Sequence, residues 1–134
     1  MIEISVSSRS RIEFINITHE IGAAVRESNV KDGVCWVYVP HTTAGVTINE
    51  GADPSVVRDI QETLAKMVPE GRFYHHAEGN SPAHIKASLM GSSVAVLVEG
   101  GRLALGTWQA IFFCEFDGPR QRKVYIKTHG TQRT

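Results

Sequence analysis

The last third of the chain constrains the fold most. Residues 94–99 (VAVLVE), 102–116 (RLALGTWQAIFFCEF) and 122–128 (RKVYIKT) are rich in β-branched and aromatic residues, with turns at Gly100-Gly101 and Asp117-Gly118-Pro119 between them. Gly-Gly is a hairpin turn, and Asp-Gly-Pro ends one strand before the next begins. Within the long run, Trp108, Ala110, Phe112, Cys114 and Phe116 alternate onto one face, which predicts that face as core. Thr107 and Gln109 then fall on the opposite face.

The remaining elements complete an α+β pattern. Residues 2–7 (IEISVS) and 11–17 (RIEFINI) read as strands around a Ser-Ser-Arg-Ser turn. Thr18 is the expected cap of a helix that carries Ile21, Ala24 and Val25 at helical spacing, until Ser28-Asn29 and Asp32-Gly33 break it. Residues 34–39 (VCWVYV) read as a buried strand. Asp53 as cap and Pro54 at the first helical position announce a second helix with Val56, Ile60, Leu64 and Met67 turned inward, stopped by Pro69-Glu70-Gly71. A polar loop then leads to a short helix with Ser81 as cap and Pro82 next, ending before Gly91. Strands at both ends with two or three helices between them predict one compact α+β domain over residues 1–134, built on antiparallel sheet, with a polar tail from His129.

Composition narrows the function. A chain of 134 residues buries a core without staples, so any metal is expected to be functional. The 14 basic and 14 acidic residues form no like-charge block, which argues against a nucleic-acid groove or a membrane-binding face. No run approaches about 20 apolar residues and the N-terminus lacks a signal-peptide pattern, so a soluble cytoplasmic protein is expected. Cys35 and Cys114 lie in apolar runs without CxxC spacing and read as small buried hydrophobes, a disulfide between them being undecided by sequence.

Chemistry concentrates in two stretches. In PHTTAGVTINEGADP (residues 40–54), Thr42, Ala44, Val46 and Ile48 make one strand face, while His41, Thr43, Gly45, Thr47 and Asn49 make the other. That polar row is either an ordinary wet face or the wall of a site. The imidazole after Pro40 and the Asn49-Glu50 pair leading into Asp53 favour a site. Downstream, His75, His76 and His84 come with Glu78, and zinc takes imidazole and carboxylate ligands, three from the protein with a fourth position open. His84 falls at the third residue of the predicted helix, where the dipole disfavours imidazolium. Gly79 and Asn80 permit a turn that brings His75 or His76 toward His84. No zinc spacing pattern matches, and scattered histidines also serve as surface residues. Glu50, Asp59 and Glu78 are candidate bases or partners that orient a histidine, although Asp59, beside Arg58 and one turn from Glu62, reads more readily as a solvated helix charge. Arg102, Arg120 and Arg122 can clamp phosphate or carboxylate and are equally at home as sheet-end charges.

The segments HTTAGVTINEGADPSVVRD, YHHAEGNSPAHIKASLMGSS and GRLALGTWQAIFFCEFDGPRQRK resemble the signature blocks of the YjbQ family, the proteins named secondary thiamine-phosphate synthase enzymes. The resemblance spans nearly the whole chain and is most specific at HTTAGVTINE, AHIKASLMG and LGTWQ. It implies a sandwich-like β-rich fold, assembly as a homotrimer with polar motifs near subunit contacts, and a side capacity to join hydroxymethylpyrimidine pyrophosphate to thiazole phosphate. It also implies His41, His75 and His84 as the metal-ligating histidines, with His76 set aside. Glu50, Asp59 and Glu78 are then expected in catalysis, and Thr43, Thr47, Asn49, Thr107, Gln109 and Arg122 in substrate binding. Displacing pyrophosphate calls for positive charge at the leaving group, from zinc on the histidines or from magnesium carried by the substrate. Two other readings of the same residues are metal-assisted hydrolysis of a small phosphorylated metabolite and a non-catalytic trimeric metabolite-binding protein.

Overall fold

The computed structural model describes residues 1–71 and 74–131. Over these the chain runs β1 (Ile2–Ser7), β2 (Glu13–Asn16), α1 (Thr18–Ser28), β3 (Gly33–Tyr38), β4 (Ala44–Glu50), α2 (Pro54–Met67), α3 (Ser81–Met90), β5 (Ser93–Glu99), β6 (Arg102–Leu103), β7 (Gln109–Glu115) and β8 (Gln121–Gly130). The strands form a five-stranded sheet, β1-β8-β3-β5-β6, and a three-stranded sheet, β2-β7-β4. Every pair is antiparallel, but only β5 and β6 are partners joined by a short turn; the Asp117-Gly118-Pro119 turn carries the chain from β7 in one sheet to β8 in the other. Gly100 and Gly101 take φ values of 60° and 76°, the left-handed pair that a tight hairpin between β5 and β6 demands and that glycine supplies without strain.

Two apolar layers follow from the strand alternation. Between the sheets, Val37, Val96, Val124 and Ile126 meet Val46, Ile111 and Phe113, and α1 adds Ile21, Ala24 and Val25. On the outer face of the three-stranded sheet, Ala110, Phe112, Cys114 and Phe116 pack under Leu64 of α2 and Ala83 and Ala87 of α3. Strand β7 is therefore buried on both faces, which explains its unbroken apolar run.

Several expectations are corrected. Trp108 is 63% exposed: the chain turns at Gly106, where its N–H is held by the Gln109 carboxamide, and β7 starts only at Gln109. Residues 102–116 are two strands in different sheets. The inward stripe of α2 is Val57, Ile60 and Leu64, while Met67 points out and Val68 turns in after it. Asn16, not Thr18, satisfies the start of α1, its Oδ1 accepting from Thr18 N (3.0 Å), while Thr18 Oγ1 accepts from Ile111 N (2.8 Å). Asn80 occupies the cap position of α3, so Ser81 is its first residue and His84 its fourth. Asp53 caps α2 as expected, accepting from Ser55 N at 2.9 Å. His129 and Gly130 belong to β8, paired with Val34 and Gly33, and are not a tail; residues 132–134 lie outside the described residues. Cys35 and Cys114 are free thiols in different layers. Burial pushes the Cys35 thiol up to about 11 and Cys114 higher still. No helix among the described residues is long and apolar enough to cross a membrane.

Candidate functional site

The row of residues 41 to 49 does not form one wall. Gly45 lies under the end of α3, where a Cβ would come within 2.6 Å of the Gly91 carbonyl oxygen and 3.1 Å of Met90 Cβ. Only glycine lets the helix sit that close to the strand. Thr43 is buried at the near end, Thr47 is half-buried in mid-strand, and Asn49 is exposed at the far end.

Packing of α3 against β4 brings His84 toward His41. Three clefts share lining residues around His84: one of about 490 Å³ with His41, Thr42 and Ser88, one of about 460 Å³ with His41, His76, Glu78, Asn80 and Arg120, and one of about 410 Å³ with Tyr74, His75, His76 and Ile85. The His76 and His84 rings meet edge to face, centroids 5.2 Å apart. His76 Nε2 lies 3.8 Å from Glu78 Oε2. His41 Nε2 accepts the Lys123 N–H at 2.9 Å. Its basicity is lowered first by burial and then by the Arg122 guanidinium, partly offset by Glu115. The ring is held neutral with its proton on Nδ1, a hydrogen-bond donor.

A buried ion pair supports this side of the site. Arg122 Nε donates to Glu115 Oε1 (2.8 Å), and its Nη2 donates to Glu115 Oε2 and to Thr43 Oγ1 (2.8 Å). Ser8 Oγ donates to Glu115 Oε1 (2.7 Å), and the Asp117 N–H donates to Oε2 (3.0 Å). Burial alone would raise the Glu115 carboxyl, but these hydrogen bonds outweigh it and hold it below the usual range. Alongside, Asn80 Nδ2 donates to Asp117 Oδ2 (2.9 Å), which also receives Arg120 Nη2 (3.2 Å). Asn80 Oδ1 is buried without a partner among the described residues, an acceptor beside the 460 Å³ cleft.

The expected site residues thus divide. His41, Thr43, Glu78, His84 and Arg122 border one cleft. His76, which the resemblance set aside, lines it too, while His75 lines only the neighbouring one. Arg122 is 3% exposed, with Nε and Nη2 committed to Glu115 and Thr43, so it positions its neighbours instead of offering an open clamp. Asn49, Glu50, Thr107 and Gln109 gather at the opposite end of the small sheet. Glu50 pairs with Gln109 six positions from the Ala44–Glu115 pair, about 20 Å along the strand. There Glu50 Oε2 accepts the N–H groups of Ala52 and Asp53 (both 3.2 Å) and shapes the entry to α2. Asp59 is exposed on α2 and borders none of these clefts. Sequence reasoning read Asn80 and Asp117 only as turn residues and missed Glu115: placing the cap of α3 at Ser81 hid the role of Asn80, and Glu115 in an apolar run gave no sign of a buried carboxylate.

Zinc on His41, His75 and His84 does not fit this arrangement. His41 Nε2 is occupied by a backbone donor, His75 lies on a different cleft, and no three His, Cys, Asp or Glu side chains among the described residues are placed to hold one ion.

The family model described as UPF0047 protein YjbQ-like matches residues 2–131. The chain belongs to the YjbQ/UPF0047 family. It is 50% identical over 130 residues to a UPF0047 protein of Methanocaldococcus jannaschii, covering 97% of this chain and 94% of that one. It is 48% identical to the UPF0047 protein YugU of Bacillus subtilis, covering 95% and 97%. The crystal structure of a YjbQ/UPF0047 protein from Clostridium acetobutylicum matches with a TM-score of 0.94 at 56% identity, over 96% of this chain and 100% of that one. A YbjQ-like protein from Sulfolobus solfataricus keeps the fold at 32% identity, with a TM-score of 0.92 over 96% and 95%. The YjbQ fold is thus a mainly antiparallel two-sheet domain with three helices.

Proposed function

We propose that this YjbQ/UPF0047 chain is a cytoplasmic protein that binds a small phosphorylated metabolite where the clefts meet at His84, and acts on it by histidine acid–base chemistry. The observation that carries this reading is the position of His84, common to three clefts and flanked by His41 and His76. Arg120 and the neutral His41 ring supply cation and donor for a phosphate, and the His84 and His76 imidazoles are side chains that can accept and return a proton.

The specific reaction follows the family resemblance. The thiazole nitrogen attacks the pyrimidine's exocyclic carbon, the new C–N bond forms as the C–O bond breaks, and the electron pair leaves with pyrophosphate. Such a step needs orientation and charge neutralisation at the leaving group more than a protein nucleophile. Magnesium entering with the pyrophosphate serves that need with few protein ligands. Hydrolysis in the same cleft needs one substrate and water, and a binding protein needs no turnover. Incubation with both precursors, following pyrophosphate release, separates the three. His84→Ala is expected to remove turnover while the chain stays folded, and undiminished turnover in that variant overturns the reading. Metal content of untagged protein by mass spectrometry tests the metal-free form of the proposal, which stoichiometric zinc overturns.

Assembly as a homotrimer is part of the proposal. Trp36, Tyr38, Leu97 and Trp108 are large apolar side chains left exposed in the single chain, and burial in a subunit contact accounts for them. A trimer also gives Glu50, Thr107 and Gln109 a role at a neighbouring chain. Light scattering at micromolar concentration is expected to return three times the 14.7 kDa chain mass; a monomer overturns it.

A further inference from the structure

A second cleft, of about 240 Å³, lies between the end of α1 and the β5–β6 hairpin. Arg26 from the last turn of α1, Lys31 from the loop after it and Arg102 from β6 all line it, together with Asn29 and Gly101. No carboxylate lines it. Among the described residues none of the three cations is joined to an acid, although Glu99 faces Arg102 across the β5–β6 ladder. Each charge has an ordinary role on its own: Arg26 complements the helix dipole, and Arg102 suits a sheet end. That account does not explain why three come from separate elements to one concave surface in a chain with equal numbers of acids and bases.

We propose that this cleft is a second anion site, taking a phosphate or pyrophosphate group. Two guanidinium groups offer paired N–H donors to a tetrahedral oxyanion, and the Lys31 ammonium adds a movable charge. The volume is below the roughly 300–1,000 Å³ typical of clefts for drug-sized ligands, which suits an ion or one end of a metabolite. Gly101 borders Lys31, and its φ of 76° is the left-handed backbone that glycine supplies without strain at this edge of the cleft. Lys31 precedes β3 and His41 follows it, so the site is roughly 20 Å, the length of that strand, from the His84 clefts.

The test is a ¹H–¹⁵N NMR titration of the full chain with inorganic pyrophosphate. The expected result is saturable shifts at Asn29, Lys31, Gly100 and Gly101, with affinity falling at least tenfold in Arg26→Gln/Lys31→Gln/Arg102→Gln and unchanged in His84→Ala. Shifts confined to residues around His41 and His84, equal affinity in the triple variant, or equal shifts with sodium chloride overturn the proposal. All three replaced side chains are exposed, so the fold should survive. Should the triple variant unfold, Lys31→Gln alone decides: a several-fold weaker affinity supports the site and an unchanged one overturns it.

Discussion

Replacing Arg122 with methionine separates its two assigned roles. In the structure Arg122 and Glu115 are 3% and 0% exposed, so removing the guanidinium strands a buried carboxylate. Breaking a buried pair from one side costs about 3–5 kcal/mol. Ser8 Oγ and the Asp117 N–H remain bonded to Glu115, which puts the loss at the low end, about 3 kcal/mol. That is a large part of the roughly 5–15 kcal/mol that holds a domain together, and lowers Tm by about 10 °C. The pH dependence has a definite sign. In the native protein the Glu115 carboxyl sits below its ordinary 4.5, so its stabilisation is present above that pH and fades as pH falls through the folded value. In Arg122→Met, burial unopposed by the arginine raises the carboxyl, so the variant is penalised at neutral pH and relieved as acid neutralises Glu115. The gap between the two proteins in urea denaturation should narrow from pH 7 to pH 4. Arg122→Met/Glu115→Met, which leaves neither charge, should recover much of the loss. A single-variant loss under about 1 kcal/mol, the range of an exposed pair, or a double variant worse than the single, refutes the reasoning.

Two further outcomes follow from packing. Gly45→Ala places a methyl against backbone at the end of α3 and should cost about 1–3 kcal/mol while weakening ligand binding, because α3 carries His84; a change within 0.5 kcal/mol in denaturant melts contradicts the close approach. Cys35 and Cys114 are buried with their thiols raised, so native protein at pH 8 should label with a thiol reagent only on the unfolding timescale, and rapid labelling of either contradicts its placement.

The fold was legible where local rules are strong. Gly100-Gly101, Asp53-Pro54 and the alternation of Ala110, Phe112, Cys114 and Phe116 each specify their local structure unaided. Trp108 was misplaced because the alternation was carried one residue ahead of the start of β7, and Met67 because the inward position after Leu64 falls four residues on, at Val68, and not three. The polar row of 41–49 misled for a different reason: Gly45 is a packing glycine, and only the tertiary position of α3 distinguishes that from a substrate wall. Arg122 looked like a clamp because sequence does not reveal a partner seven residues away across a turn. His84 was legible by its place on α3, whereas His76 and His75 differ by one residue in a loop and no periodic rule chooses between them.

The most direct test of the central claim is calorimetric titration of the wild-type chain and His84→Ala with hydroxymethylpyrimidine pyrophosphate. Saturable binding in the wild type, lost or weakened at least tenfold in the variant at unchanged Tm, is the predicted result. No binding to the wild type, or equal affinity in both, contradicts it.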